Sequence, residues 1–275
     1  MIFIKLNKKI IILSLIITIF MYPKTIVTVI NMGKDVYIAR KLSIYKTKPK
    51  SPTTISNDKA KIIFMFDGGH KSIYRDVYKI MNKYNYKGNI PIIPSMIDDK
   101  EHLSYQQLSS LYLEGWNLLN QSYYHKKNMY DKCNELLLDF DKGKQWMDNR
   151  YLGKFSDMIV VPYGEINPYL IYQLKNSGYS NIRTSDNIIV LNSRKIQYLP
   201  VTTIHLLSSL TVNEVKDKLL EDYSKNNIFI LVLNKIKYNN DEYYLSYSKK
   251  DFQSIIKFIY ENNDKFQVIT YSQLF

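Results

Sequence analysis

Hydrophobic and polar residues follow two recurring patterns over most of the chain. Short continuous apolar runs, beginning with 62–66, are typical of strands that are buried on both faces. Amphipathic stretches lie between them, such as 72–84, in which Ile73, Val77 and Ile80 fall on one helical face. The same pattern predicts further strands at 89–93, 116–119, 158–161, 179–184, 198–202, 228–233 and 267–271, and long helices at 132–149 and 249–261.

Local signals mark the starts of three more helices. Ser104 with Gln107, and Thr211 with Glu214, have the spacing of a capping box, and Asn167 precedes a proline that suits a first helical position. Strands and helices that alternate in this way predict an α/β fold, with a parallel sheet closed or nearly closed into a distorted (β/α) barrel. Chemistry in such barrels lies where strands end and loops begin, so the strand ends are the place to search for a site.

The N-terminus has the pattern of a membrane-directed segment. Three lysines precede 10–22, which contains no charged residue, and the apolar character resumes after Lys24. If Lys24 reaches the interface, 10–30 is long enough to span a bilayer. We therefore predict an uncleaved signal anchor at 1–31, with a cleaved signal peptide as the alternative, followed by a polar linker at 32–60. The expected location is the cell membrane, single-pass, with the domain outside the cytoplasm, or secretion in the alternative.

Composition narrows the class of protein. Hydrophobic residues make up 45% of the 275 residues, which is a globular rather than a disordered composition. The formal net charge of +13 comes almost entirely from lysine, and it fits either an anionic partner or lysines scattered over a solvated surface. The absence of a long basic block and of a nucleic-acid motif in the sequence favours the second interpretation, with no nucleic-acid partner. A single cysteine, Cys133, excludes an internal disulfide.

Four strand ends carry a distinctive set of residues. In chain order they read Phe-Asp-Gly-Gly-His at 66–70, Gln-Ser-Tyr-Tyr-His at 121–125, Val-Pro-Tyr-Gly at 161–164 and Leu-Asn at 233–234. In this order and spacing they resemble the polysaccharide deacetylase family (carbohydrate esterase family four, the NodB-homology domain). That family has Thr-Phe-Asp-Asp-Gly, His-Ser/Thr-x-x-His, Pro-Tyr-Gly and Leu-His at these places. The resemblance covers 61–275 and implies one domain there, with the distorted barrel of the deacetylase type.

The resemblance implies metal-assisted deacetylation of a polysaccharide. In the family an Asp and two His hold a divalent ion, usually zinc, which polarises the acetyl carbonyl and acidifies a bound water. A second Asp takes a proton from that water, and the final His protonates the leaving amine. Asp67 stands at the position of the base, and His125 stands at the position of one metal ligand.

Other positions depart from the family pattern. Gly68 and Gln121 stand where the Asp and the first His of the metal site belong, and Asn234 stands where the acid His belongs. Val160 replaces an arginine that orients the base in many members. The candidate substrate-binding residues are Gln121, Tyr123, Pro162, Tyr163, Gly164 and Asn234. The departures affect the metal site and the acid, and they leave the scaffold intact.

Several hypotheses remain open at this point. His70 lies three residues after Asp67 and is a candidate replacement ligand, which would give an Asp67–His70–His125 triad; otherwise it is an ordinary loop histidine. Zinc is therefore an implied cofactor most of whose ligands are missing. The first hypothesis is a domain that binds or acts on N-acetylated polysaccharide or a peptidoglycan-like glycan, with impaired or lost deacetylation. The alternatives are an atypical N-deacetylase that uses Asp67 as base, and a membrane-tethered structural or partner-binding protein.

Overall fold

A computed structural model describes residue 37 and residues 55–127, 131–164, 166–184, 187–192, 196–224, 227–237 and 244–275. The predicted anchor at 1–31 lies outside these residues, as does most of the predicted linker at 32–60. Within the described part, no helix combines the length and the apolar content that a bilayer crossing requires.

Strands and helices alternate along the described chain, as the hydrophobic pattern predicts. The strands are β1 Ala60–Met65, β2 Asn89–Ile92, β3 Asn117–Asn120, β4 Ile159–Val160, β5 Asn181–Arg183, β6 Ile188–Asn192, β7 Ile196–Pro200, β8 Thr202–His205, β9 Ile228–Val232, β10 Lys235–Lys237, β11 Ser246–Ser248 and β12 Phe266–Val268. The helices are α1 Tyr78–Asn82, α2 Tyr105–Leu113, α3 Cys133–Asp148, α4 Pro168–Asn176, α5 Val212–Glu221 and α6 Lys249–Glu261, and a π-helical segment, Ile73–Val77, leads into α1. Both predicted capping boxes are present at the starts of α2 and α5.

The main sheet follows the order β7-β6-β5-β4-β3-β2-β1-β9-β8, and β12 pairs with β1 in addition. Its strands are parallel except for β6, which runs antiparallel to both β5 and β7. The two ends of this path, β7 and β8, are consecutive in sequence and separated only by Val201. The sheet therefore curls back on itself like a barrel, and the chain itself joins its two edges.

The predicted strand at 198–202 is wrong as a single element. The structure divides it into β7 and β8, which belong to opposite ends of the sheet. Pro200 ends β7 because it has no N–H for a continuing ladder, and the Val201 N–H instead donates to the backbone oxygen of Asn187. The prediction of parallel strands needs a matching correction, because β6 was not predicted and adds an antiparallel hairpin.

The apolar side chains form an interior and an outer layer. Strand β1 shows the division: Ile63 and Met65 belong to the cluster inside the curled sheet, whereas Phe64 and the following Phe66 belong to the cluster that contacts the helices. Tyr271, near the C-terminus, is fully buried in the inner cluster. This alternation fixes which side chains of each strand point inward, and the parallel pairing brings the carboxyl ends of the strands together at one mouth.

Candidate active site

A cavity of about 430 Å³ opens at the carboxyl ends of the strands. Residues from five strand ends line it, namely Asp67 after β1, Gln121 after β3, Arg183 at the end of β5, His205 at the end of β8 and Asn234 after β9. The structure thus brings the residues of separate predicted strand ends into one place, while their chemical roles stay predictions. All four histidines of the chain, His70, His102, His125 and His205, line this cavity.

Asp67 is held by a buried arginine. Nη1 of Arg183 donates to both carboxylate oxygens of Asp67, at 2.9 and 2.8 Å, and the Arg183 side chain is only 4% exposed. Arg183 is the register partner of Val160 across β4 and β5. The family resemblance implies an arginine at the position of Val160. Here Arg183, which lies directly opposite Val160 on the neighbouring strand, supplies the guanidinium that contacts Asp67.

Two histidines near this ion pair are neutral at physiological pH. Burial lowers the pKa of His125 from the ordinary value of 6.5, and the nearby carboxylates of Asp67 and Asp139 only partly oppose this effect. Burial, assisted by the positive charge of Arg183, also lowers the pKa of His205, against the pull of Asp67. Both imidazoles therefore have a free lone pair at pH 7 and can accept hydrogen bonds from a ligand.

The residues present do not fit the family's zinc site. Gly68, at the position of the family's metal-binding Asp, has no side chain to offer. Gln121 stands at the position of the first His, and its amide oxygen Oε1 already accepts the Gly68 N–H at 3.1 Å. His125 is then the one remaining residue of the family's ligand set. Zinc in proteins takes at least three N, S or carboxylate ligands, and no such group of His, Cys, Asp or Glu occurs among the residues that the structure describes.

Asp67, His70 and His125 do not form a group that could hold a metal ion among the described residues, and the contacts of His70 show why. Nδ1 of His70 lies 3.0 Å from Oγ of Ser72 and accepts the Ser72 N–H, and Nε2 lies 3.3 Å from a carboxylate oxygen of Glu101. Both ring nitrogens already have protein partners. His70 is thus a loop histidine that the local hydrogen bonds hold against Ser72 and Glu101.

The backbone around the cavity is unusually strained. Gly68 and Gly69 have φ of 79° and 66°, a conformation that an aspartate at position 68 would adopt only at a cost. Three non-glycine residues beside the cavity, Ser122, His125 and Tyr163, also have positive φ, at 64°, 52° and 57°. Such outliers concentrate at ligand sites because the surrounding structure has to hold them in place.

The Pro162–Gly164 turn presents an aromatic side chain beside His125. Tyr163 is 46% exposed, and its ring centroid lies 4.7 Å from that of His125, whereas Pro162 is buried beneath it. Tyr123 does not line the cavity but sits beside it, packed edge-on against Tyr124 with a centroid separation of 4.7 Å. Of the two predicted aromatic residues, Tyr163 therefore lies at the mouth of the cavity and Tyr123 lies outside its lining.

Three further lining residues, Arg183, His205 and Lys235, were not predicted from the sequence. Arg183 had a readable signal, because arginine is rare in this lysine-rich chain and this one lies in a predicted strand. His205 had none, because it ends a strand that the pattern merged with its neighbour. Lys235 follows Asn234 directly, but a lysine after a strand is too common to single out.

A family model described as polysaccharide deacetylase matches residues 54–182. Over these residues the chain is similar to the polysaccharide deacetylase family, as its strand-end motifs predict. The protein YxkH from Bacillus subtilis, whose name describes it as a polysaccharide deacetylase, is 22% identical to this chain over 147 residues. That alignment covers 54% of this chain and spans about half the length of the relative.

Solved structures of deacetylases share the fold. The peptidoglycan deacetylase PdaC from Bacillus subtilis aligns with a TM-score of 0.53 and 15% identity, over 80% of this chain and 92% of that one. PdaA from Bacillus subtilis, a family 4 carbohydrate esterase, gives a TM-score of 0.53 at 12% identity, over 86% of this chain and 88% of that one. The deacetylase-type α/β fold thus extends over nearly all of the described residues.

Proposed function

We propose that this deacetylase-like protein binds N-acetylated polysaccharide of the cell surface and has lost zinc-dependent deacetylation. One observation carries the proposal. The cavity is lined by Asp67, Tyr163 and Asn234, while the Gln121 amide oxygen is hydrogen-bonded to the Gly68 N–H at the two positions where the family pattern has metal ligands. A protein that kept glycan binding but lost catalysis would change its metal-binding and acid residues and keep the other residues of the cavity.

The groups that remain are suited to a sugar. The Asp67 carboxylate has accepting positions beyond the two that Arg183 uses, so it can take hydrogen bonds from sugar hydroxyls. The side-chain amides of Gln121 and Asn234 supply donors within the same cavity. The exposed ring of Tyr163 offers a flat apolar face to the C–H surface of a pyranose.

Three measurements on the purified domain test the proposal. We expect less than a tenth of an equivalent of zinc after incubation with the metal, no acetate release from N-acetyl chito-oligosaccharides, and saturable binding of the same sugars by calorimetry. Tyr163→Ala should weaken that binding roughly threefold to tenfold, the range expected for one aromatic contact. Tyr172→Ala is the matched control, because Tyr172 on α4 is 57% exposed and does not line the cavity.

A second candidate, an atypical N-deacetylase, is favoured by the Asp67–Arg183 pair. A guanidinium that holds both oxygens of a carboxylate also orients it to take a proton from water. Acetate release that disappears in Asp67→Asn but persists after metal chelation would select this candidate. If neither acetate release nor sugar binding occurs, a structural or partner-binding role replaces both.

We also propose that residues 1–31 anchor the domain outside the cytoplasm. The basic flank and the uncharged run at 10–22 support this orientation. In intact cells the domain should be cleaved by externally added protease, and the protein should fractionate with membranes. Release into the medium would instead favour cleavage of a signal peptide, and protection from protease until lysis would reject an outside location.

A further inference from the structure

Lysines and tyrosines interleave on the surface beside the cavity. This group, here called the lysine–tyrosine rim, consists of Tyr123, Tyr124, Lys126, Lys127, Lys142 and Tyr163. Nζ of Lys142 lies 4.2 Å from the ring centroid of Tyr123 and 4.3 Å from that of Tyr124, and it donates to the Tyr124 hydroxyl at 2.6 Å. Nζ of Lys126 lies 5.4 Å from the Tyr124 ring.

The rim continues to the mouth of the cavity. Nζ of Lys127 lies 5.4 Å from the ring centroid of Tyr163, which itself lines the cavity. Lys126, Lys127 and Lys142 are all exposed, so their ammonium groups face solvent while the tyrosine rings hold them in place. Three positive charges thus stand next to exposed aromatic faces along one edge of the site.

The loop that carries the rim is fixed by hydrogen bonds. The Tyr123 N–H donates to the backbone oxygen of Asp139, and the Tyr124 N–H donates to the Asp139 carboxylate, both at 3.0 Å. The His125 N–H donates to Oγ of Ser122 at 3.1 Å, and the Ser122 N–H donates to Oδ1 of Asn120 at 3.0 Å. The positive φ of Ser122 and His125 is held by these bonds, so the rim is organised before any ligand arrives.

Three carboxylates lie close to the rim or line the cavity. Asp139 is buried, with its carboxylate accepting from the loop backbone. Asp141 accepts from the Tyr179 hydroxyl at 2.7 Å, and Asp67 is the single carboxylate that lines the cavity among the described residues, paired there with Arg183. Lys235 adds a further positive charge to the lining. Cationic side chains therefore outnumber carboxylates among the residues of the rim and of the cavity lining.

We infer that the lysine–tyrosine rim binds an anionic polysaccharide, one whose sugar units carry carboxylate or phosphate groups next to the N-acetyl sugar held in the cavity. This inference rests on the proposed function and names its substrate class. Tyrosine faces suit pyranose rings, and ammonium groups spaced between them suit charges that recur along a glycan.

The test compares two sugars of equal length that differ in charge. Hyaluronan octasaccharide alternates N-acetylglucosamine with glucuronate, whereas the N-acetyl chito-octaose is neutral. We expect hyaluronan to bind more tightly at 50 mM salt, and its advantage to shrink at 300 mM because exposed charges are screened. The Lys126→Gln/Lys142→Gln double variant should reduce hyaluronan affinity about fivefold and leave chito-octaose binding unchanged, since each exposed ion pair contributes modestly.

A matched control separates this effect from net charge. Lys250→Gln/Lys257→Gln removes two lysines of α6, outside the rim and the cavity lining, and should leave both affinities unchanged. Equal affinity for the two sugars, or an equal loss in the control, would overturn the inference while leaving the proposed function standing. Binding of neither sugar would reject the proposed function itself. Tighter binding of a single-stranded oligonucleotide than of hyaluronan at the same salt would overturn the choice of a polysaccharide.

Discussion

Val160 and Arg183 are register partners on the parallel strands β4 and β5, and the guanidinium of Arg183 forms a salt bridge with the Asp67 carboxylate. The apolar residue at the family's arginine position and the arginine that contacts Asp67 therefore lie side by side on neighbouring strands. Arg183 orients the Asp67 carboxylate and supplies its counter-charge. Without Arg183 this mostly buried carboxylate would be unpaired.

Removing this arginine should destabilise the domain. Arg183→Leu leaves the mostly buried Asp67 carboxylate unpaired, and we expect a loss of about 2–4 kcal/mol in the free energy of unfolding. Urea titration followed by fluorescence measures the loss. Adding Asp67→Asn to Arg183→Leu should recover more than half of it, because the unpaired charge is gone. An additive loss in the double variant would show that packing, rather than charge, is what Arg183 contributes.

The stability of the domain should fall as the solution becomes mildly acidic. Burial lowers the pKa of His125 and of His205 in the folded state, so the unfolded chain binds more protons once the pH falls below the ordinary histidine value of 6.5. Stability is then fully present above pH 6.5, and it is lost as the pH drops from there toward the lowered pKa values. Thermal unfolding between pH 5 and 8 measures this.

His205→Asn should reduce the slope of stability against pH and leave the stability at pH 8 nearly unchanged. The effect should be smaller than that of His125→Asn, because His205 is the more exposed of the two side chains. A slope that stays the same in both variants would assign the pH dependence to other groups.

Rebuilding the family's ligands should restore metal binding at a cost in stability. Gly68→Asp with Gln121→His places three family ligands around the cavity together with His125, and we expect one zinc per chain by elemental analysis. The aspartate must adopt a φ near 79°, which costs about 1–3 kcal/mol. Gly68→Ala isolates that strain without adding a ligand. A double variant that still binds no zinc would mean that the surrounding loops have also moved away from ligand geometry.

A glycine in α3 supports the loop of the rim. A Cβ at Gly143 would lie 2.6 Å from Oδ1 of Asn120, the oxygen that accepts the Ser122 N–H. Gly→Ala within a helix normally stabilises by about 0.5–1 kcal/mol, but the overlap should cost about 1–3 kcal/mol and prevail. Gly143→Ala should therefore lower the Tm and weaken sugar binding together. A rise in Tm would show that the helix has room to move aside.

Sequence pattern predicted those features of the fold that depend on local chemistry. The capping boxes at Ser104 and Thr211 and the buried runs of β1 and β9 are readable because each depends on residues close together in the chain. The hairpin of β6 and β7 was not readable. Its boundary depends on Pro200 and on a hydrogen bond from Val201 to Asn187, so a single apolar run became two strands with different partners.

The candidate site divides in the same way. Asp67, Gln121 and Asn234 follow strands that the pattern predicts, and the family resemblance identifies their positions. Arg183 and His205 join them through the curl of the sheet, which no local signal encodes. The family pattern predicts the arginine at the position of Val160 on β4, whereas in the structure Arg183 on the neighbouring strand β5 makes the contact with Asp67.

The contact between Asp67 and Arg183 also bears on how the molecule folds. The two residues are 116 positions apart, so the loop that closes when they meet includes β2 to β4 and all of α1 to α4. A contact with so large a separation forms after the strands between have assembled, and its loss should accelerate unfolding more than it slows folding. The mouth of the barrel would then be the last region to become ordered during folding and the first to open.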